Sequence, residues 1–332
     1  LAIGLPCPPF ASADELFEAG LGVVLDHGHH VDGSRAFRET LDQQLVLRDP
    51  RTRVLDARAS TFDLRVATAR LVWHLAASSD LEHIAYYEPR VRAFSDDGRT
   101  VPGSNVGARI FGDEGGIDQF RGAIRRLRDD PASRRAALVV WEPDDSTRES
   151  RDIPCTTGMT LHLRADLLVA TVVMRSNNAL RLLPYNVFEL SMLAELAAAE
   201  LDVGLGPYVH LANSFHVFDT EVERASTVRA SMPRDGIPEP MPRMPARPGP
   251  LDQTAELVDF EARLRASYLA HDLDRVDDLL SACERDLDPY WYALALVLAS
   301  RDEEGRPVGS VLARTFDLLS PGHPFLPHMF AA

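Results

Sequence analysis

The chain has 332 residues, 45% apolar and 26% charged, with 50 acidic against 35 basic side chains and a formal net charge of −15. That length buries a large core and accommodates one sizeable α/β domain with an appendage, and the composition argues against disorder. The acidity excludes an extended nucleic-acid surface, which needs a basic stripe, but not a mononucleotide, which needs only a few local arginines.

Ser12 and Glu15 stand at capping-box spacing and open an amphipathic helix. Residues 40–47 alternate as a strand stopped by Asp49-Pro50, and residues 62–75 have helical spacing and are apolar enough to be largely buried. Residues 117–127 read as an amphipathic helix closed by Asp130-Pro131. Residues 136–141, 159–164 and 167–174 read as three strands, the last two split by Ala165-Asp166. Residues 187–201 form a long helix rich in alanine and leucine, and residues 210–218 a last strand. Between Pro238 and Pro250 every second or third residue is proline, which supports extended structure and no packed core. Beyond it, residues 251–300 are helical by pattern. The predicted division is therefore a domain over residues 1–231, a proline-rich linker over 232–250 and a helical extension over 251–332.

No run approaches the roughly eighteen apolar residues of a membrane helix, and no basic segment followed by an apolar run marks a signal peptide. Cys7, Cys155 and Cys283 are odd in number and far apart, which is no disulfide framework and points to a reducing cytoplasm. Lysine is absent, so arginine carries all the permanent positive charge. Asp26-His27-Gly28-His29-His30 is histidine-rich, but its spacing fits no standard metal motif, and no metal is expected.

Three constellations carry chemistry. Asp152-Ile153-Pro154-Cys155-Thr156 places a cysteine after a proline at the mouth of an apolar segment. A thiolate there could add to C6 of a pyrimidine and make C5 carbanion-like. A lone cysteine is more often a buried structural residue, so the neighbouring motifs have to decide. Met174-Arg175-Ser176-Asn177-Asn178 supplies an arginine–serine pair suited to a phosphate. Pro184-Tyr185-Asn186 supplies an amide that can donate and accept at a base edge, where a carboxylate only accepts.

In combination these motifs resemble the active-site core of thymidylate synthases and their relatives, the deoxycytidylate hydroxymethylases, over residues 35–218. The resemblance implies an α/β (α+β) three-layer fold with a large mixed sheet at a homodimer interface, here followed by the helical C-terminal extension. It implies Cys155 as nucleophile and Asn186 as the base-selecting residue, asparagine in uracil-specific members and aspartate in cytosine-specific ones. Arg38, in Arg35-Ala36-Phe37-Arg38-Glu39, looks like the N-terminal phosphate loop. Arg175 and Ser176 match further phosphate ligands, with Asn177 beside them as a substrate-binding candidate. Asp130-Pro131-Ala132-Ser133-Arg134-Arg135 resembles the paired-arginine motif that reaches across the dimer to the partner's phosphate. His216 would contact the sugar, and Phe218 stands where the family usually has tyrosine, which removes one hydroxyl contact. Ser95-Asp96-Asp97-Gly98, Phe188, and Thr156 where the synthases carry histidine sit closer to the hydroxymethylase branch.

The cofactor implied is 5,10-methylenetetrahydrofolate, with Trp73, Asn178 and Leu182 at cofactor positions. Four positions depart from the family. The catalytic glutamate falls on Arg70, a tyrosine on Val106, the pterin-holding aspartate on Asn178 and the folate-packing glycine on Leu182. The nucleotide half is kept and the folate half rewritten. The expected function is one-carbon transfer to C5 of a pyrimidine nucleoside monophosphate, hydroxymethylation before reductive methylation, with no nucleic-acid or membrane partner. The alternatives are a folate-independent enzyme using the same cysteine adduct, and a nucleotide-binding dimer that has lost catalysis.

Overall fold

The computed structural model describes residues 7–56, 62–112, 116–233, 238–302, 304–320 and 322–327; residues 234–237 of the expected linker lie outside them. In chain order the elements begin with α1 (Ala13–His27), β1 (His29–Val31), β2 (Phe37–Leu47), α2 (Leu64–Leu75) and α3 (Leu81–Ala85). They continue with α4 (Gln119–Asp129), β3 (Ala137–Val139), β4 (Thr156–Arg164), β5 (Leu167–Asn178), α5 (Leu183–Glu200), β6 (Gly204–Phe218) and α6 (Val222–Ser231). Four helices close the chain: α7 (Pro250–Leu269), α8 (Leu273–Asp286), α9 (Pro289–Ala299) and α10 (Gly309–Leu318). None of the described helices is long and apolar enough to cross a membrane.

Compactness divides the chain differently from its composition. Leu1–Phe62, Asp118–Thr147 and Pro154–Met241 form one unit; Asp63–Ile117, Arg148–Ile153 and Pro242–Ala332 form the other. The helices beyond the proline stretch thus share a unit with α2 and α3.

The first unit is built on a six-stranded sheet of order β1-β2-β6-β5-β4-β3. Only β5 and β6 run parallel, and α5 is their crossover, as a parallel pair requires. The sheet is mixed, as expected. Several strands run further than the apolar pattern indicates. β2 begins at Phe37, β4 at Thr156 and β6 at Gly204, while β5 continues to Asn178. Pairing is a backbone property, so the ladder persists through polar side chains where the alternation has ended. α5 is buried on all sides, which explains its unbroken run of alanine and leucine. Its Glu195 is ion-paired with Arg53, and both are almost wholly removed from solvent. Ser12 caps α1 as its spacing predicts, its Oγ accepting from the Glu15 N–H at 3.2 Å.

In the second unit the apolar α9 is fully buried, from Tyr290 to Ala299. Glu261 of α7 is completely buried and accepts from the Tyr87 hydroxyl at 2.9 Å and the Arg265 guanidinium at 2.9 Å, with His83 also beside it. Burial pushes this carboxyl up, but the bonds from His83 and Arg265 outweigh it and hold Glu261 below the usual carboxylate range. Trp73 is fully buried in a cluster with Leu81, Ile84, Ala85, Val91 and Val101.

Candidate active site

Apart from Arg134 and Arg135, the motif residues of the first unit meet at one end of the sheet because of strand direction. β4 is antiparallel to β5, so Cys155, just before β4, lies beside the C-terminal end of β5. β2 is antiparallel to β6, and the register sets Glu39 against His216 and Asn178 against the same His216. The chain then turns from β5 into α5, with Pro184 in the first turn, where its missing N–H is harmless. Asn186 follows within that turn.

Cys155 is half-buried. The Arg175 N–H donates to the Cys155 carbonyl at 2.8 Å, and the Arg175 Nε donates to the Pro154 carbonyl at 2.7 Å. These bonds hold the guanidinium so that an Nη lies 4.0 Å from Sγ, while its carbon sits 5.7 Å from the Trp141 ring centroid. A fixed positive charge beside a sulfur favours the thiolate, the reactive form.

Across the sheet end, Ser176 Oγ and His216 Nδ1 are 3.4 Å apart. His216 is packed edge-on by Phe37 and Phe218, at centroid distances of 5.5 and 5.1 Å. Burial lowers its pKa, so the ring is a neutral donor and acceptor suited to a hydroxyl. Phe218 is covered on one face by the Arg35 guanidinium at 3.8 Å. Arg38 lies on β2 in register with Val217. Arg134 and Arg135 are exposed just before β3, at the opposite edge. Four inter-strand steps separate β2 from β3, roughly 19 Å at about 4.8 Å per step. One chain alone therefore does not bring Arg134 and Arg135 to Arg38.

Behind these residues runs a line of buried polar groups. The Tyr208 hydroxyl is 3.0 Å from His210 Nδ1, and His210 Nε2 is 3.1 Å from Asn177 Oδ1. Asn177 Nδ2 donates to Asn186 Oδ1 at 2.8 Å, and Asn186 Nδ2 donates to Glu189 Oε1 at 2.8 Å. Burial lowers the His210 pKa to about 4, so the imidazole is neutral. Asn177 is 1% exposed and stands behind Asn186, with its amide bonded to protein at both ends.

The residues carried over for the cofactor do not fit it. The Asn178 amide is spent locally: Oδ1 accepts from the Leu180 and Arg181 N–H groups at 3.1 and 2.7 Å, and Nδ2 donates to Glu221 at 3.0 Å. Glu221 is in turn ion-paired with Arg181. In the second unit, Arg70 is paired with Glu88 at 3.1 Å, and Trp73 has no exposed surface. Val106 is buried in a turn clamped to the end of α2, where Asn105 Oδ1 lies 3.1 Å from His74 Nδ1 and Asn105 Nδ2 donates to the Trp73 carbonyl at 3.0 Å. Gly107 passes so close that a Cβ would lie 1.8 Å from the His74 carbonyl oxygen. Leu182 offers no polar group.

Asp152 also serves structure, accepting from the Gly103 and Ser104 N–H groups at 2.6 and 3.2 Å. Asp97 of the Ser95–Gly98 motif closes its own turn, accepting from the Arg99 and Thr100 N–H groups, both at 2.7 Å. In the histidine-rich run, His30 Nε2 is 3.0 Å from Asp32. Among the described residues no group of three or more histidine, cysteine or acidic side chains is placed to hold a metal.

Sequence reasoning misses Glu189, His210 as a partner of Asn177, Trp141 and Glu221. Glu189 carried a signal, being an acid inside a helix whose other residues are too apolar to face water.

A family model for thymidylate synthase matches residues 57–262. A deoxyuridylate hydroxymethyltransferase of Pseudomonas phage M6 is 30% identical over 194 residues, covering 55% of this chain and about half, 54%, of that protein. One of Bacillus phage SP01 is 24% identical over 278 residues, 74% of this chain and 72% of the relative. A putative thymidylate synthase of Methanosarcina mazei is 23% identical over 218 residues, 63% of this chain and 88% of the relative. The match spans more than half the chain and takes in Cys155, Arg175 and Asn186, and on it the chain belongs to the thymidylate synthase family.

Proposed function

We propose that this protein transfers a one-carbon unit to C5 of a pyrimidine nucleoside monophosphate, with a 5-hydroxymethyl product. The observation that carries the reading is the Arg175 guanidinium locked 4.0 Å from Cys155 Sγ by its bond to Pro154. The Cys155 thiolate adds to C6, and the C5–C6 electron pair moves into an enolate. C5 then attacks a carbon at the formaldehyde oxidation level. Loss of the C5 proton and departure of the thiolate from C6 restore the ring. The net change is C5–H to C5–CH2OH, which consumes a formaldehyde equivalent and no reductant; methylation would need two further electrons. The names of the two phage relatives support the hydroxymethyl outcome.

Asn186 binds the base edge, His216 the sugar, and Arg38, Arg175 and Ser176 the phosphate. Arg134 and Arg135, remote from Arg38 in one chain, act on the partner's phosphate in a homodimer. Phe218 leaves the sugar without a tyrosine hydroxyl. In the family the carbon arrives on 5,10-methylenetetrahydrofolate. Here Asn178 and Arg70 are held by the protein's own bonds, Trp73 is buried and Leu182 offers no polar group, which favours a second reading in which the same adduct works without folate.

One assay separates these readings. The protein is incubated with UMP, dUMP, CMP or dCMP and formaldehyde, with and without tetrahydrofolate, and 5-hydroxymethyl nucleotide is measured against Cys155→Ala. Cys155-dependent product supports the proposal, and its dependence on tetrahydrofolate assigns the donor. Exchange of the C5 hydrogen without product selects the folate-independent enzyme. Nucleotide binding with neither product nor exchange leaves a binding dimer and overturns the proposal.

A further inference from the structure

We propose that Glu189 fixes which way the Asn186 amide faces, and thereby which pyrimidine the site accepts. The inference rests on the proposed function, in which Asn186 meets the base. It concerns the line Tyr208–His210–Asn177–Asn186–Glu189, whose members are between 0 and 6% exposed.

Four of the five members are reversible. An amide can turn end for end, a neutral imidazole can move its proton to the other nitrogen, and a hydroxyl both donates and accepts. Taken alone, Tyr208, His210, Asn177 and Asn186 would satisfy one another equally well in either sense. Glu189 breaks that tie, because a carboxylate accepts and does not donate. Asn186 must turn its Nδ2 toward Glu189, at 2.8 Å, so its Oδ1 faces Asn177. Asn177 then presents Nδ2 to Asn186 and Oδ1 to His210, which donates from Nε2 and accepts the Tyr208 hydroxyl at Nδ1. Every donor points toward Glu189. Reversing one member would set two acceptors or two donors face to face among side chains at most 6% exposed, and leave buried polar groups unpaired.

The fixed amide keeps one N–H and one oxygen lone pair unused, in a set order. Uracil presents N3–H as donor and O4 as acceptor; cytosine presents N3 as acceptor and its 4-amino group as donor, the reverse order. A freely turning amide would serve both. A held one serves one, and sites that match hydrogen-bond polarity reject the mismatched ligand strongly because their own buried groups go unpaired. With asparagine at position 186 and the phage relatives named for deoxyuridylate, the served base is uracil. Glu189 and Asn177 act here through Asn186 and are positioning residues.

The test is the uracil-to-cytosine affinity ratio, measured by calorimetry with UMP, CMP and their deoxy forms on the wild type and on Glu189→Gln. Glutamine keeps the size of Glu189 but can donate as well as accept, which frees the amide to turn. The ratio should fall at least tenfold, chiefly through a gain in cytosine-nucleotide affinity. A general loss of order would weaken both ligands alike and leave the ratio unmoved, and that result overturns the inference. Asn177→Asp is the second variant, since an acceptor-only group on the other side of Asn186 competes for the same Nδ2; a folded Asn177→Asp protein with the wild-type ratio also overturns it. A wild type that binds no pyrimidine nucleotide overturns the proposed function and this inference together. A wild type that discriminates, beside a Glu189→Gln protein that discriminates equally, overturns this inference alone.

Discussion

Arg175 and Cys155 are joined through both backbone and side chain: the Arg175 N–H donates to the Cys155 carbonyl at 2.8 Å, and an Nη lies 4.0 Å from Sγ. The backbone bond extends the β4–β5 ladder by one step, and the Nε bond to the Pro154 carbonyl at 2.7 Å turns the guanidinium toward the thiol. Cys283 has the opposite environment, and burial pushes its thiol up to about 12.

Alkylation should therefore be selective. Iodoacetamide at neutral pH, followed by peptide mass mapping, should modify Cys155 well before Cys283, because only the thiolate reacts. Arg175→Ala should slow labelling of Cys155 and leave Cys283 unchanged. Equal rates at the two cysteines in the wild type would remove the argument for an activated thiol.

Acid should find a weak point at His210. Its folded pKa of about 4 lies below the unfolded value of about 6.5. Below about pH 6.5 the unfolded chain takes up a proton that the folded one refuses, so stability is complete above that pH and falls as pH drops toward 4. The contribution of this one residue is about 3 kcal/mol over that window. Urea titrations from pH 7 to pH 4 should show His210→Gln losing less stability than the wild type by about that amount. Parallel losses would mean that His210 is already protonated in the fold.

The placement of Arg134 and Arg135 predicts shared sites. Arg134→Ala and Cys155→Ser should each abolish activity alone, yet mixing and re-forming dimers should restore it. A mixed dimer has one site with an intact cysteine and an intact partner arginine, up to about half the wild-type sites per mixed dimer. Activity absent from the mixture, with dimers present by light scattering, would place the two residues in the same chain's site.

Much of this site is legible in the sequence because its residues interrupt apolar strands. Arg175 to Asn178 break the run of β5, and Cys155 sits just before β4, where alternation has yet to begin. The order of strands is not legible, since pairing Asn178 with His216 depends on a crossover that local periodicity does not describe. Glu189 is hidden for a similar reason: inside α5 it reads as one polar position of a helix, and only burial of the whole helix demands a partner for it. Arg70 looks like a lost catalytic group until Glu88, in a later turn, is found holding it. The helices after Pro250 are legible one by one, but their grouping with α2 rests on contacts such as the Arg65 Nε donating to the Leu298 carbonyl, across 233 positions of sequence.

The proposed function turns on one covalent step, the addition of Cys155 to C6 of a pyrimidine nucleotide. The direct measurement is mass spectrometry of the protein after incubation with 5-fluoro-dUMP, formaldehyde and tetrahydrofolate. Fluorine cannot leave C5 as a cation, so a species in which Cys155 has added to C6 and C5 has bonded to the donor carbon cannot go on to product and is held on the enzyme. A nucleotide adduct is expected on the peptide carrying Cys155, absent in Cys155→Ser, with Cys7 and Cys283 unmodified. An adduct on either of those residues, or none on a protein that binds the nucleotide, would contradict it.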